Sequence, residues 1–315
     1  MARPLRIIFP GAFYHITSRG NEQRVIFKSQ RDRKKFLSYL ESATQRYDAR
    51  IHAYCLMDNH YHLLIETPSG NLPQIMRHIN GAYTTYFNVK RKRSGHLLQG
   101  RYKAILVDMD RYAKELSRYI HLNPVRAKMV EMLEHYQWSS YLEYIGRKKI
   151  QPWLVRDFIL SYFGQKVKIA QHNYLKFVEA KVGQKYKSPF RKVVGSTILG
   201  DQDFVKMVKK NYLQNIEPDR DLPALRVLSE KPDLEDIIRA TESAFATQPR
   251  LARNISLYLC HHWSGKTLKY IGKHFGVGES AVSQSSRRTA TIINKDKNLK
   301  RKIQNVKSQI FMSRV

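Results

Sequence analysis

The sequence predicts an α+β fold: an antiparallel sheet with helices on one face, followed by a helical region. Three observations carry this expectation. Short β-type runs alternate with helix-period runs early in the chain, two of those runs flank the turn-forming pair Asp58 and Asn59, and beyond Leu234 the pattern is helical.

"FYHITS" (Phe13 to Ser18) reads as a strand, and "RVIF" (Arg24 to Phe27) as a short second strand after the turn "RGNEQ". Phe36, Leu40, Ala43 and Tyr47 then recur with helical period and mark the buried stripe of a helix starting near Asp32. "IHAYCLM" and "HYHLLIET" are two strands joined by a tight hairpin. Leu72, Ile75, Met76, Ile79, Tyr83 and Tyr86 line a second helix that runs into "KRKR" (Lys90 to Arg93). "YKAILVD" (Tyr102 to Asp108) is a further strand, and Asp110 is placed to cap a third helix that Pro124 should end. This order of elements describes a ferredoxin-like layout.

From Val125 to about Gln184 the pattern is mostly helical, including "QWSSYLEYIG". "VGQKYKSPF" (Val182 to Phe190) has the composition of a linker. The expected organisation is a mixed domain over 1–145, a helical extension and linker over 146–233, and a helical domain with a basic tail over 234–315.

Lys and Arg number 56 against 26 Asp and Glu, a formal net charge of +30. That excess is far beyond what solubility needs and points to a polyanionic partner, with nucleic acid first. The cations are spread along the chain among 19 Tyr and 13 Phe rather than gathered on one membrane-binding helix. Cys55 and Cys260 are too few for a disulfide framework, which suits a reducing compartment. No stretch has the length of a bilayer span or of a signal peptide, so the expected location is cytoplasmic, with the nucleoid, and no membrane partner.

"MDNHYHLLIE" sets His60 and His62 one residue apart, so both point to one side of a strand together with Leu64 and Glu66. Two such histidines are either polar-face residues of the strand or metal ligands. A zinc hydrolase would add a third ligand and a general base, and no HExxH spacing occurs. In "KELSRYIHLNPVRA", Tyr119 and Asn123 lie four apart and stack on one helix face. Tyr119 fits a core aromatic as well as a reactive phenol, and Tyr112 is a rival. His15 and His121 read as structural.

Taken together, "GAFYHITSRGN", "CLMDNHYHLLIET", "QGRYKAILVD", "RYIHLNPVRA" and "WSSY" resemble the REP-associated tyrosine transposases, within the single-tyrosine HUH endonucleases. The resemblance covers about residues 1 to 145. It implies cleavage of single-stranded DNA at hairpins with Mg²⁺ or Mn²⁺, leaving a 5′-phosphotyrosine and a free 3′-OH. By motif position His60, His62 and Asn123 would hold the metal, and Tyr119 would be the nucleophile. A phenol of pKa ~10 is only about one part in a thousand ionised at pH 7, a penalty near 4 kcal/mol that a neighbour must offset. Metal-binding imidazoles must be neutral, so activity is expected to fall below about pH 6. Lys90, Arg91, Arg101 and Lys103 are candidates for phosphate contacts, or else solvated surface charges.

In "KTLKYIGKHFGVGESAVSQSSRR", Thr267 can cap a helix carrying Leu268 and Ile271, and a Gly-containing turn leads to a second helix anchored by Val282. This is a helix-turn-helix pattern, with Ser280, Ser283, Gln284, Arg287 and Arg288 facing outward. It resembles the DNA-binding domain of the replication initiator DnaA, although "GESAVSQS" lacks the initiator's recognition histidine and threonine. The expected partners are hairpin-bearing single strands and, through this domain, duplex DNA, with the chain a monomer or homodimer. The competing reading is a regulator that binds hairpins without cutting them.

Overall fold

The computed structural model describes residues 5–184, 188–213 and 232–312. Contacts divide the chain into two compact units, Met1–Ser229 and Glu230–Val315.

The first unit contains β1 (Ala12–Arg19), α1 (Gln30–Tyr47), β2 (Arg50–Leu56), β3 (His60–Thr67), α2 (Leu72–Lys90), β4 (Lys103–Val107) and α3 (Met109–Arg126). The sheet runs β2-β3-β1-β4, with every pair in that set antiparallel, and this is the ferredoxin-like order. A two-residue strand, β5 (Ile198–Leu199), adds to β4 in parallel. No helix among the described residues is long and apolar enough to cross a membrane.

The predicted α1 stripe is buried: Phe36, Leu40 and Ala43 are inaccessible. The helix begins before Asp32 because the Ser29 side chain caps it, accepting from the Asp32 N–H. Asp32 is itself buried and accepts from Lys90 Nζ at 2.6 Å and Arg91 at 2.7 Å, which ties the end of α2 to the start of α1. Burial alone would raise its pKa, but these two cations outweigh it and hold the carboxyl below its ordinary value.

Strand alternation assigns the helices to faces. Tyr61 packs on Phe36 of α1, with centroids 4.8 Å apart, and its hydroxyl reaches Asn80 of α2 at 2.5 Å. Tyr61, Leu63 and Ile65 therefore face α1 and α2, and each buried side chain there contributes about 1.5–3 kcal/mol. His62 points the other way, to Tyr119 of α3. The expectation of helices on one face holds for α1 and α2, while α3 covers the opposite face.

Several local expectations are corrected. "RVIF" forms no strand: the N–H groups of Ile26 and Phe27 both donate to the Asp58 carbonyl, at 2.9 and 3.0 Å, so this segment tucks under the hairpin turn. Asp108, not Asp110, caps α3, accepting from the Arg111 N–H. Pro124 lies inside α3 rather than ending it. It has no N–H to give the Ile120 carbonyl, and the Asn123 side-chain amide reaches that oxygen at 3.4 Å while donating to the Tyr119 carbonyl at 2.8 Å.

The middle region is less helical than predicted: α4 (Tyr141–Tyr144), α5 (Asp157–Ser161) and α6 (Val167–Glu179) are separated by turns. "QWSSY" instead covers the outer edge of β2, with Leu56 N–H donating to Trp138 O and Ser140 N–H to Tyr54 O. Of the predicted linker, residues 185–187 lie outside the described residues, and Ser188–Phe190 packs into the first unit through a single turn, Pro189–Lys192. The helix α7 (Gln202–Val208) follows β5.

The second unit is helical: α8 (Leu234–Ala244), α9 (Pro249–Trp263), α10 (Leu268–Phe275), α11 (Glu279–Lys295) and α12 (Lys297–Met312). Ile237, Ile255, Leu259, Ile271 and Val282 form its core. Thr267 caps α10, and Gly276 closes it in the left-handed conformation, with φ of 66°. Gly272 lets the α10–α11 turn approach closely, since a Cβ there would stand 2.5 Å from the Val277 carbonyl oxygen.

Candidate functional site

Cross-strand pairing builds the face beneath α3. Thr17 pairs with His62, Arg19 with His60 and His15 with Leu64, while Cys55 pairs with His62 from the other side. Directly paired residues share a face, so His15, Thr17 and Arg19 join His60, His62, Leu64 and Glu66. The His60 and His62 rings stand edge to face with centroids 5.0 Å apart. His15 lies beside them, its Nε2 3.0 Å from His62 Nδ1. His15, expected from the sequence to be structural, is brought to the pair by the β1–β3 register.

The protonation of His60 follows from its neighbours. The Asn59 Nδ2 donates to the Gln23 carbonyl at 3.1 Å, which orients its amide and turns Oδ1 to His60 Nδ1 at 2.7 Å. An amide oxygen only accepts, so His60 carries its proton on Nδ1 and keeps a lone pair on Nε2. Burial, then Arg19, pull the His60 pKa below its ordinary value against the opposing pull of Asp58. His62 is held well below that value by burial and then by the adjacent His15 and His60. Burial takes His15 down to about 3. All three imidazoles are therefore shifted towards the neutral form, so the fall in activity expected below about pH 6 should come at a lower pH.

Tyr119 packs edge-on against His62, at 5.9 Å, and against His15, at 6.1 Å. It is half-buried, with the Arg126 guanidinium 4.8 Å from its ring centre. Tyr119, Asn123 and Arg126 follow one another at helical spacing on one stripe of α3. The Asn123 amide nitrogen is engaged by its own helix, and among the described residues its Oδ1 accepts no hydrogen bond. Phe190 lies against both Tyr119, at 5.0 Å, and His15, at 4.5 Å. Its composition-poor surroundings gave no hint of this in the sequence.

The remaining predicted residues fall in different places. Lys103 is exposed and pairs with Thr17, so it stands on the histidine face; Arg101 is exposed just before β4. Lys90 and Arg91 are held by Asp32. Cys55 is buried against Met57, and burial pushes its thiol up, away from ligation. Glu66 is taken by His52, at 3.0 Å, and Arg50, at 3.1 Å. Among the described residues no group of three or more His, Cys, Asp or Glu side chains is arranged to hold a metal. The predicted set of two imidazoles and an amide lies outside that class.

In the second unit, Ser283, Gln284, Arg287 and Arg288 occupy the side of α11 away from Val282, Ser286, Thr289 and Ile293, which are buried. Gln284, Arg287 and Arg288 are exposed and Ser283 partly so.

No curated protein matches the chain. Among solved structures, a REP-associated tyrosine transposase bound to a REP hairpin is similar at 15% identity and a TM-score of 0.42, covering 49% of this chain and 92% of that one. A protein described as a transposase of Deinococcus radiodurans R1 is similar at 17% identity and a TM-score of 0.26, covering 38% of this chain and 95% of the other. The sequence pattern of the IS200-like transposases matches residues 10–123, a span that contains β1 to β4, both histidines and Tyr119. The similarity to the IS200-like transposases is thus confined to residues 10–123 of the 315.

Proposed function

We propose that the first unit cuts and rejoins single-stranded DNA beside hairpins, with Tyr119 as nucleophile and a divalent metal, Mg²⁺ or Mn²⁺, bound by His60, His62 and Asn123. The observation that carries this reading is the packing of the Tyr119 ring against His62, on the face that both histidines share.

The residues fit a metal of this kind. His60 offers Nε2 with its proton committed elsewhere, and Asn123 has an amide oxygen without a hydrogen bond among the described residues. His60, His62 and Asn123 are all neutral donors, so an ion held by them would keep its full positive charge for a phosphate. The metal supplies charge neutralisation and orientation of the scissile phosphate. Tyr119 Oη attacks phosphorus in line, the bond to the 3′ oxygen breaks, the phenol proton is lost and the 3′ oxygen takes one up. The products are a 5′-phosphotyrosine and a 3′-OH. Since a phenolate leaves far more readily than an alkoxide, an incoming 3′-OH can reverse the step onto another strand. Arg126, with its guanidinium over the Tyr119 ring, offers a donor to the phosphate, and Lys103 adds positive charge on the same face.

In the second unit, the α10–turn–α11 pair supports a helix-turn-helix that reads duplex DNA through Ser283, Gln284, Arg287 and Arg288. Replacing Arg287 and Arg288 with Ala should lower the salt dependence of duplex binding by up to about two phosphate contacts while leaving adduct formation on hairpins intact.

The test is incubation of the full chain with single-stranded hairpin oligonucleotides and Mn²⁺ or Mg²⁺. A covalent adduct to the 5′ side of the break, abolished by EDTA, is expected. Absence of an adduct with every hairpin, alongside tight binding, would return the regulator reading.

A further inference from the structure

Both histidines engage a partner through Nδ1, and the two partners differ in kind. His60 meets an acceptor-only oxygen, so its tautomer is settled by Asn59. His62 meets another imidazole: His15 Nε2 lies 3.0 Å from His62 Nδ1. One proton occupies that contact, and its owner decides what His62 can do. If His15 donates from Nε2, His62 is left with its proton on Nε2 and no lone pair to offer there. If His62 donates from Nδ1, its Nε2 is bare, as in His60.

We infer that His15 is a positioning residue which accepts the His62 Nδ1 proton and thereby holds His62 in its ligating tautomer. The inference rests on the metal reading above. His15 is suited to the part. It is buried, at 3% exposure, and its ring is clamped by Phe190 at 4.5 Å, so the acceptor nitrogen has a fixed direction. It stands on β1, one pleat along from the residue paired with His62, so the bond runs diagonally between adjacent strands of a rigid sheet. His15 also touches the Tyr119 ring edge-on, so one side chain sets the direction of His62 and borders the phenol. Partners of this kind behind a ligating imidazole typically contribute 10–100-fold to metal affinity.

Two variants separate the hydrogen bond from the packing. His15→Phe keeps a ring against Phe190 and Tyr119 but removes the nitrogen; His15→Gln restores an acceptor near the position of Nε2 without the ring. The first measurement is the tautomer of His62 in metal-free full-length protein, from the ¹⁵N shifts of its imidazole. Wild-type protein should show the proton on Nδ1, and His15→Phe should move it to Nε2. The second is Mn²⁺ binding, followed by the electron paramagnetic resonance of free Mn²⁺. His15→Phe should bind about 10- to 100-fold more weakly, with His15→Gln returning most of the loss. A wild-type His62 protonated on Nε2, unchanged Mn²⁺ binding in His15→Phe, or a His15→Gln no better than His15→Phe would each overturn the inference. Wild-type protein that binds no Mn²⁺ would overturn the metal reading instead, and the tautomer would still accept or reject the bond to His15.

Discussion

Tyr119 and His121 are two residues apart on α3 and look in opposite directions, each into a group of histidines and tyrosines. On one side are His15, His60, His62 and Tyr119. On the other, His121 is inaccessible and uses both ring nitrogens, Nδ1 with Tyr174 Oη at 2.7 Å and Nε2 with Ser140 Oγ at 2.7 Å, among Tyr141, Tyr144 and Tyr174. The residue types are the same and the outcomes differ. Around His121 the ring's hydrogen-bonding capacity is consumed within the protein, which makes a brace between α3, α4 and α6. Around Tyr119, the second nitrogen of His60 and the Asn123 oxygen have no hydrogen bond among the described residues. Chemistry here follows the lone pairs left over rather than the residues present.

The comparison can be broken most sharply at Tyr119. Tyr119→Phe should remove the DNA adduct altogether, a loss of at least about 10³-fold because no other phenol makes ring contact with His62 among the described residues, and should leave the melting temperature nearly unchanged. An adduct that persists would identify another nucleophile. The converse change is His121→Ala, which should cost about 2–4 kcal/mol in urea unfolding, through a cavity and two lost hydrogen bonds, while the folded protein still forms the adduct.

Acid sharpens the contrast. Burial takes His121 down to about 3, whereas the unfolded chain accepts that proton near ~6.5. Between those values the unfolded state binds the extra proton, so stability falls as pH drops through that window. Unfolding followed at stepped pH should show this, and His121→Leu should flatten the slope by one proton. Mn²⁺ binding should meanwhile persist below pH 6, because both His60 and His62 are shifted down. The smallest expected effect is at Arg126. Its contact with the Tyr119 ring is exposed, worth about 0.5–1 kcal/mol, so Arg126→Ala should slow adduct formation by about two- to fivefold, with Lys restoring part. A far larger loss would mean that Arg126 binds the phosphate itself.

Much of the first unit was legible because its elements have clean periods. The α1 stripe, the β2–β3 hairpin and the α2 stripe all follow from spacing within a single element. What escaped depended on partners distant in sequence. "RVIF" has strand composition, but its amides are claimed by Asp58 across the turn. β5 is two residues long and exists through its pairing with β4. Within the site, His60, His62 and Tyr119 were legible as a motif, while His15 and Phe190 were not. Sequence places His15 on a strand, yet its neighbour across the sheet depends on register, and Phe190 lies in a stretch whose Gly, Lys, Ser and Pro content reads as a linker. Lys90 and Arg91 show the reverse case, a basic run that looks free in sequence and is held by Asp32.

The proline in α3 has a consequence for the residue before it. A carboxamide is nearly symmetric in shape, and turning it over exchanges a donor for an acceptor with little change in volume. In α3 that exchange would set an oxygen against the carbonyls of Tyr119 and Ile120, the latter left without its usual amide by Pro124, so two lone-pair-bearing atoms would face each other. Pro124 thus gives Asn123 a polarity: its chemically distinct ends are sorted by a missing hydrogen one residue away, before any ligand arrives.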